Sequence, residues 1–277
     1  MSNLSRVEAE VGVFGGSGFY SFLDDVNEVA VDTPFGPTSA PVTIGTVGER
    51  RVAFIPRHGR DHQHAPAAVP ARANLWAMRT LGVQQVIGPC AAGSLKPDVH
   101  PGDFVVLDQL VDRTWGRPDT YYDAGLAHHV SFADPYCAVV AAAAVAAGRR
   151  TGVTMHERGT VVVVQGPRFS TRAESQWFRA QGWEVVNMTQ YPEAYLAREL
   201  GMHYAGIALI TDYDTGVEHD PGVDAVTQDR VFAFFEENLH RMRDLLLDLI
   251  PRLPADPSSY DCSCTEAIGP LEPHEDS

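Results

Sequence analysis

Ala208-Leu209-Ile210-Thr211-Asp212-Tyr213-Asp214-Thr215-Gly216 sets an apolar run against two carboxylates placed one residue apart. Gly206 to Ile210 reads as a buried strand that stops at the acids. In open α/β sheets the ends of such strands are where ligands sit. A buried strand has little reason to finish in paired carboxylates unless something basic or proton-accepting meets them there. The plainer reading, in which Asp212 and Asp214 cap the next segment or face water, stays open on this stretch alone.

Other apolar runs also end in groups able to do chemistry. Val11-Gly12-Val13-Phe14 runs into Gly15-Gly16-Ser17-Gly18, where backbone amides and a hydroxyl can form a phosphate nest. This turn does not fit the dinucleotide fingerprint, because Tyr20 and Ser21 fall where the last glycine belongs. Val42 to Thr46 and Arg51 to Pro56 read as a hairpin whose second strand delivers Arg57-His58-Gly59-Arg60-Asp61-His62-Gln63-His64, a cluster suited to clamping an anion. A metal is the rival occupant, but no cysteine or carboxylate set completes such a site.

Ala71 to Leu81 reads as a helix, and Val83 to Ile87 as a strand followed by a second small-residue turn, Gly88 to Ser94. Asp103 to Leu107 reads as a strand, Asp108 to His129 as a long loop or lid, and Tyr136 to Ala147 as an alanine-rich helix. Thr151 to Met155 and Gly159 to Gln165 read as strands, the second running into Arg168-Phe169-Ser170-Thr171. There Ser170 or Thr171 with Glu174 has capping-box spacing, and Arg168 is placed to reach an anion. Trp183 to Val186 is a strand, and Pro192-Glu193 begins a helix running to about Leu200. Ala225 to Leu249 is the last helix, with Phe235, Leu239, Met242, Leu246 and Leu249 on one stripe and Glu237 and Arg241 paired on the polar side.

Composition narrows the classes. The chain has 277 residues, 44% of them hydrophobic, and a formal net charge of −15, a field that repels nucleic acid and anionic membranes. No run is long and apolar enough for a membrane span, and no leader pattern precedes Val11, so the cytoplasm is the expected location. Lys96 is the one lysine, which removes Walker-type phosphate loops and most Schiff-base chemistry. Cys90, Cys137, Cys262 and Cys264 look too scattered for a disulfide scaffold or a four-ligand zinc site, so no metal is expected.

The strand ends carry a resemblance. Gly15-Gly16-Ser17-Gly18, Asp32-Thr33-Pro34-Phe35-Gly36, Arg57-His58-Gly59-Arg60, Gly93-Ser94-Leu95, Asp112-Arg113-Thr114, Gly166-Pro167-Arg168-Phe169-Ser170, Asn187-Met188-Thr189 and Thr211-Asp212-Tyr213-Asp214 together resemble the nucleoside phosphorylases of the 5′-methylthioadenosine type, from Val11 to Pro251. The resemblance implies an α/β fold: a single domain, residues 10–251, with a twisted mixed central sheet flanked by helices. Residues 252–277 would be a C-terminal tail, mobile or packed on a neighbouring subunit.

The reaction implied is phosphorolysis of S-methyl-5′-thioadenosine to adenine and 5-methylthioribose 1-phosphate, with inorganic phosphate as co-substrate and no other cofactor. Phosphorylases of 5′-halo-5′-deoxyadenosine or of methylthioinosine are the alternatives. Carried over by position, Ser17, Arg57, His58, Cys90, Ala91 and Thr189 form the phosphate site. Ala91, Phe169, Ser170, Met188 and Asp214 would hold base and ribose, and Asp212 would be the catalytic acid. His129 would come from a neighbouring subunit of a homotrimer, with a hexamer as the alternative. Cys90 stands where the family commonly has threonine, which puts a poorer donor at the phosphate. Cys262-Ser263-Cys264 resembles a C-terminal Cys-x-Cys of some members, expected here as a reduced pair in a loose tail.

Overall fold

The structure, a computed structural model, describes residues 8–15, 23–123, 127–215 and 227–266. Its strands are β1 (Val11–Gly15), β2 (Asp24–Val29), β3 (Val42–Val47), β4 (Arg50–Pro56), β5 (Gln85–Ser94), β6 (Phe104–Val106), β7 (Gln109–Arg113), β8 (Met155–His156), β9 (Thr160–Val164), β10 (Val185–Asn187) and β11 (His203–Tyr213). Its helices are α1 (Ala71–Thr80), α2 (Ala138–Thr151), α3 (Arg172–Ala180), α4 (Gln190–Glu199) and α5 (Gln228–Leu249). The strands join in one mixed sheet ordered β2-β3-β4-β1-β5-β10-β9-β7, with β11 on β5, β6 on β11 and β8 on β6. This is the single-domain mixed-sheet architecture expected from the sequence.

Side-chain alternation explains why the sheet is covered on both faces. Along β11, Tyr204, Ala208 and Ile210 join one core with Leu75 and Met78 of α1 and Leu196 of α4. Ala205, Ile207 and Leu209 join the other, with Val140 and Ala144 of α2 and Met242, Leu245 and Leu246 of α5. Two residues per repeat send successive side chains to opposite faces, so one apolar strand feeds both layers. Among the described residues no helix is long and apolar enough to cross a membrane.

Several boundaries differ from the sequence expectation. The segment Gly88 to Ser94 is not a turn: it continues β5, paired residue for residue with β11 from Gly88–Gly206 to Ala92–Ile210. Its small residues serve packing instead, since a Cβ at Gly88 would collide with the Tyr204 hydroxyl at 1.8 Å. Strand β11 likewise does not stop at Ile210 but passes through Asp212 to Tyr213, with Asp214 next after it. The supposed loop after Leu107 contains β7, whose mostly exposed, polar residues lack the apolar signature of a buried strand. Residues 151–154 finish α2 and turn, leaving only Met155–His156 as strand. Arg241 reaches the Gly102 carbonyl at 2.7 Å and the Phe104 ring face, so it spends its charge on the sheet rather than on Glu237.

Part of the segment 252–266 packs on the chain's own core. Leu253 and Cys264 are buried, and Tyr260 donates to Gln85 Oε1 at 2.9 Å. This fold also gathers three of the cysteines judged too scattered: Cys137, Cys262 and Cys264 meet His203, all four ligand atoms lying within 4.8 Å of one another. Residues 267–277 lie outside the described residues.

Candidate active site

The ends of β5, β10 and β11 meet around Gly93. Asp212 pairs in register with Gly93, Val186 pairs with Gly93 from β10, and Asp214 N–H donates to the Ser94 carbonyl at 3.0 Å. The register slips between Ile210 and Asp212, so Thr211 is an extra residue on β11. Such a bulge re-aims the side chains beyond it: without the slip, Asp212 would share the Ile210 face, whereas with it Asp212 and Asp214 turn together to the face of Gly93. Glycine is needed opposite them, because a Cβ there would lie 3.0 Å from Asp212 Oδ1 and 3.4 Å from Asp214 Cβ. The bulge and the glycine make a local space that two carboxylates share.

Burial dominates the electrostatics of that space. Asp212 is pushed up to about 6, chiefly by burial and further by the Asp214 charge, against the opposing hydrogen bond from Thr211. Thr211 Oγ1 donates to Asp212 Oδ2 at 2.7 Å. Asp214 is also raised by burial, offset by the Ser175 hydroxyl. Asp214 is 2% exposed, and among the described residues its Oδ2 and the buried Ser170 Oγ make no well-formed hydrogen bond, though the Ser170 hydroxyl lies near enough to favour the carboxylate. Ser170 is held beside the acids by Thr215, whose Oγ1 donates to the Ser170 carbonyl at 3.2 Å. Unpartnered buried polar atoms are costly in a folded protein, and two of them beside a pair of raised acids make this strand end a candidate ligand site.

Arg57 belongs to a second cluster, joined to the middle of β5. Its Nε and Nη2 donate to Glu193 Oε2 and Oε1, each at 2.7 Å, and its Nη1 donates to the Pro89 carbonyl at 3.1 Å. That leaves one N–H on each terminal nitrogen for an anion. Coulombic attraction to Glu193 keeps Arg57 charged despite the burial that opposes it. His58 is held down to about 4 by burial, with the Arg57 charge adding to the effect, and its Nδ1 faces the His64 carbonyl at 2.8 Å. It is therefore neutral, with Nδ1 protonated and Nε2 left to accept. Cys90 is pushed up to about 12 by burial and stays a thiol, with the Asn187 and Gln190 side chains turned to it.

Asn187 belongs to the Cys90 side of the site. It ends β10, its Oδ1 accepts from the Thr189 amide at 3.0 Å, and its Nδ2 donates to Thr189 Oγ1 at 3.3 Å. Along β5, Cys90 and Gly93 are three residues apart, so both clusters are built on the same strand.

The remaining expected residues are more dispersed. Phe169 is partly buried next to Ser170, Met188 is partly buried against Gly166, and Ala91 is partly exposed on β5 opposite Leu209. His129 is exposed in the segment between β7 and α2. Ser17 lies outside the described residues. Arg168, read as an anion ligand, is committed to Glu174 by two hydrogen bonds of 2.8 and 2.7 Å, and Thr171 rather than Ser170 supplies the capping box. Arg60 is likewise paired, with Glu28. A cavity of about 270 Å³ beside β9, lined by Arg113, Trp115, Gly166, Arg168 and Trp177, takes in neither acid.

Two positioning residues were missed. Glu193 read as a helix start, though a lone acid on the apolar face of a helix beside a strand-end arginine is a signal for a buried pair. Arg117, 8% exposed, donates to the Met188 carbonyl at 3.0 Å, the Gln165 carbonyl at 2.9 Å and the Tyr191 carbonyl at 2.5 Å. It clamps the Met188–Tyr191 turn to the end of β9, and nothing in its surroundings of aromatic and turn residues hinted at that.

The chain is similar to known proteins over nearly its whole length. A profile of the family described as Phosphorylase superfamily matches residues 10–251. The chain is 55% identical to an S-methyl-5'-thioadenosine phosphorylase of Mycolicibacterium smegmatis over 91% of its own length and 94% of the relative's. It is 51% identical to a purine nucleoside phosphorylase of Streptomyces coelicolor, over 97% and 98% of the two chains. A Schistosoma mansoni adenosine/methylthioadenosine phosphorylase mutant solved with methylthioadenosine superposes with a TM-score of 0.84 at 34% identity, covering 94% of this chain and 95% of that one.

Proposed function

Because the chain belongs to the Phosphorylase superfamily, we propose that it phosphorolyses S-methyl-5′-thioadenosine to adenine and 5-methylthioribose 1-phosphate, as the names of its relatives suggest. The observation that carries this reading is the pair of acids at the end of β11, one raised to about 6 and the other holding an unpartnered oxygen.

Breaking the C1′–N9 bond leaves a cation-like sugar and a purine anion, so charge develops on the base as the sugar departs. Asp212, partly protonated near neutral pH, supplies a proton or a hydrogen bond at N7. Asp214 Oδ2 accepts from the N6 amine. A 6-oxopurine would present an acceptor to that acceptor, which favours adenine. Phe169 and Ser170 flank the base and Met188 lies along the ribose.

At the other face of the sugar, the two free N–H groups of Arg57, the Thr189 hydroxyl, the Ala91 backbone and Ser17 bind inorganic phosphate. Neutral His58 accepts from a phosphate that still carries a proton. Cys90, held as a thiol, adds no charge to repel it, so the departure from threonine costs a donor only. Phosphate is the co-substrate and no other cofactor is needed. The 5′ pocket is completed by His129 of a neighbouring subunit in a homotrimer, which fits that residue's exposure in its own chain. The enzyme acts in the cytoplasm.

Adenine release from methylthioadenosine, measured with and without phosphate, tests the reading. Release must require phosphate; undiminished release in its absence would indicate a nucleosidase, and no release in its presence a binding protein. The Streptomyces relative's name favours a second, broader reading, cleavage of purine nucleosides in general. Side-by-side kinetics on methylthioadenosine, a 5′-halo-5′-deoxyadenosine and methylthioinosine separate the two, and a preference for the oxopurine would overturn the first.

A further inference from the structure

The far end of β11 holds a group that the proposed reaction does not use. His203 opens the strand, nine residues and about 30 Å of extended chain from Asp212. Cys137, at the N-terminal cap of α2, is tied to this point by its N–H donating to the Tyr204 carbonyl at 2.8 Å. The C-terminal segment brings Cys262 and Cys264 onto the same spot. Cys137, His203 and Cys264 are each no more than 2% exposed.

The distances have a particular pattern. Cys137 Sγ lies 3.9 Å from Cys262 Sγ and 3.6 Å from His203 Nδ1, while Cys262 Sγ lies 3.3 Å from the same nitrogen. Zinc–sulfur bonds near 2.3 Å and zinc–nitrogen bonds near 2.0–2.1 Å give tetrahedral edges of about 3.8 Å between sulfurs and about 3.5 Å between sulfur and nitrogen. The four atoms, all within 4.8 Å of one another, therefore already sit near the corners of such a tetrahedron.

Three thiols and one imidazole make an odd set for disulfide chemistry, since any pairing leaves a thiol and a buried ring nitrogen without a role. They make a complete set for a thiophilic metal with tetrahedral preference. The surroundings fit the charge. Three thiolates and a divalent ion carry a net negative charge, and buried Arg198 stands against it, its Nη1 donating to Ser263 Oγ at 3.4 Å. The Val140 amide in the first turn of α2 faces the Cys137 sulfur. The Tyr260 ring lies edge-on to His203 with centroids 4.7 Å apart.

We propose that Cys137, His203, Cys262 and Cys264 form a structural zinc site that fastens residues 252–266 to the sheet. On binding, each of the three thiols gives up its proton to solvent, and His203 ligates through Nδ1 with its proton on Nε2. The metal closes a loop from the start of α2 to the C-terminal segment and leaves no open coordination position, so its role is in stability rather than in turnover.

The test uses full-length protein purified under reducing conditions without chelator. Elemental analysis should find about one zinc per chain. After stripping by a strong chelator, added zinc should rebind, protect the thiols from alkylation and raise Tm by several degrees, and cobalt should give the intense absorption of a tetrahedral thiolate site. The Cys262→Ser/Cys264→Ser double variant should lose the metal and the response of Tm to zinc. The proposal is overturned if reduced wild-type protein takes up no zinc, if cobalt shows only weak octahedral absorption, if mass spectrometry finds a disulfide among these cysteines in the reduced preparation, or if the double variant retains zinc as well as the wild type. The wild-type readouts stand even if the variant does not fold.

Discussion

Two regions of this protein bury charge in opposite ways. Arg57 and Asp214 are 3% and 2% exposed, but the first meets Glu193 through a bidentate pair while the second keeps an oxygen unpartnered beside another acid. The Arg57–Glu193 pair is a closed unit: burial costs each charge several kcal/mol, and their contact with further hydrogen bonds to Pro89 and Tyr204 offsets it. The Asp212–Asp214 pair is an open one, like-charged and desolvated, so its protons are held more tightly. The difference teaches that an opposite charge holds Arg57 in its charged form with two N–H groups to spare, whereas a like charge and burial favour the protonated form of Asp212.

Removing half of the closed pair should do the most damage. Glu193→Ala leaves Arg57 charged and alone, and is expected to lower stability by about 3–5 kcal/mol in urea unfolding. A loss below about 1 kcal/mol would mean that the arginine can find other partners. At the open pair, Asp212→Asn should lower kcat/KM for methylthioadenosine by about 100–1,000-fold, the cost of one transition-state hydrogen bond. Near-normal turnover in a folded variant would remove Asp212 from the mechanism.

Asp214→Asn is expected to act on choice rather than on speed. An amide can donate to a 6-oxo group, so the preference for methylthioadenosine over methylthioinosine should shrink by about 1–3 kcal/mol in the ratio of kcat/KM values. A last effect concerns stability and pH. Asp212 binds its proton more tightly folded, near 6, than at its ordinary value of 3.8. Its favourable contribution is full below the ordinary value and is lost as pH rises to the folded value. Asp212→Asn should therefore gain in Tm relative to wild type between about pH 4 and pH 7, by no more than about 3 kcal/mol in stability. A gap that stays constant across that range would show that burial does not hold the proton.

The sheet and its helices were legible because apolar alternation and periodic stripes arise from burial on both faces. The misread segments are those where composition served a different end. Gly88 and Pro89 look like a turn, yet they run in β5 because the Tyr204 hydroxyl needs the space over Gly88. Strand β7, at the sheet edge, carries polar residues that hide it in a loop. The acids of β11 were legible as an anomaly of polarity, whereas the bulge at Thr211 that turns them to Gly93 depends on register with another strand. Arg57 and Glu193, 136 residues apart, and Cys137 and Cys262, 125 apart, meet through topology that no local pattern encodes.

The central claim is that the two acids at the end of β11 are arranged to read an adenine. Calorimetric titration of the wild-type protein with adenine and with hypoxanthine, both in the presence of phosphate, tests it most directly. Adenine should bind at least about tenfold more tightly, because hypoxanthine leaves Asp214 facing an acceptor. Equal affinity, or tighter binding of hypoxanthine, would contradict it.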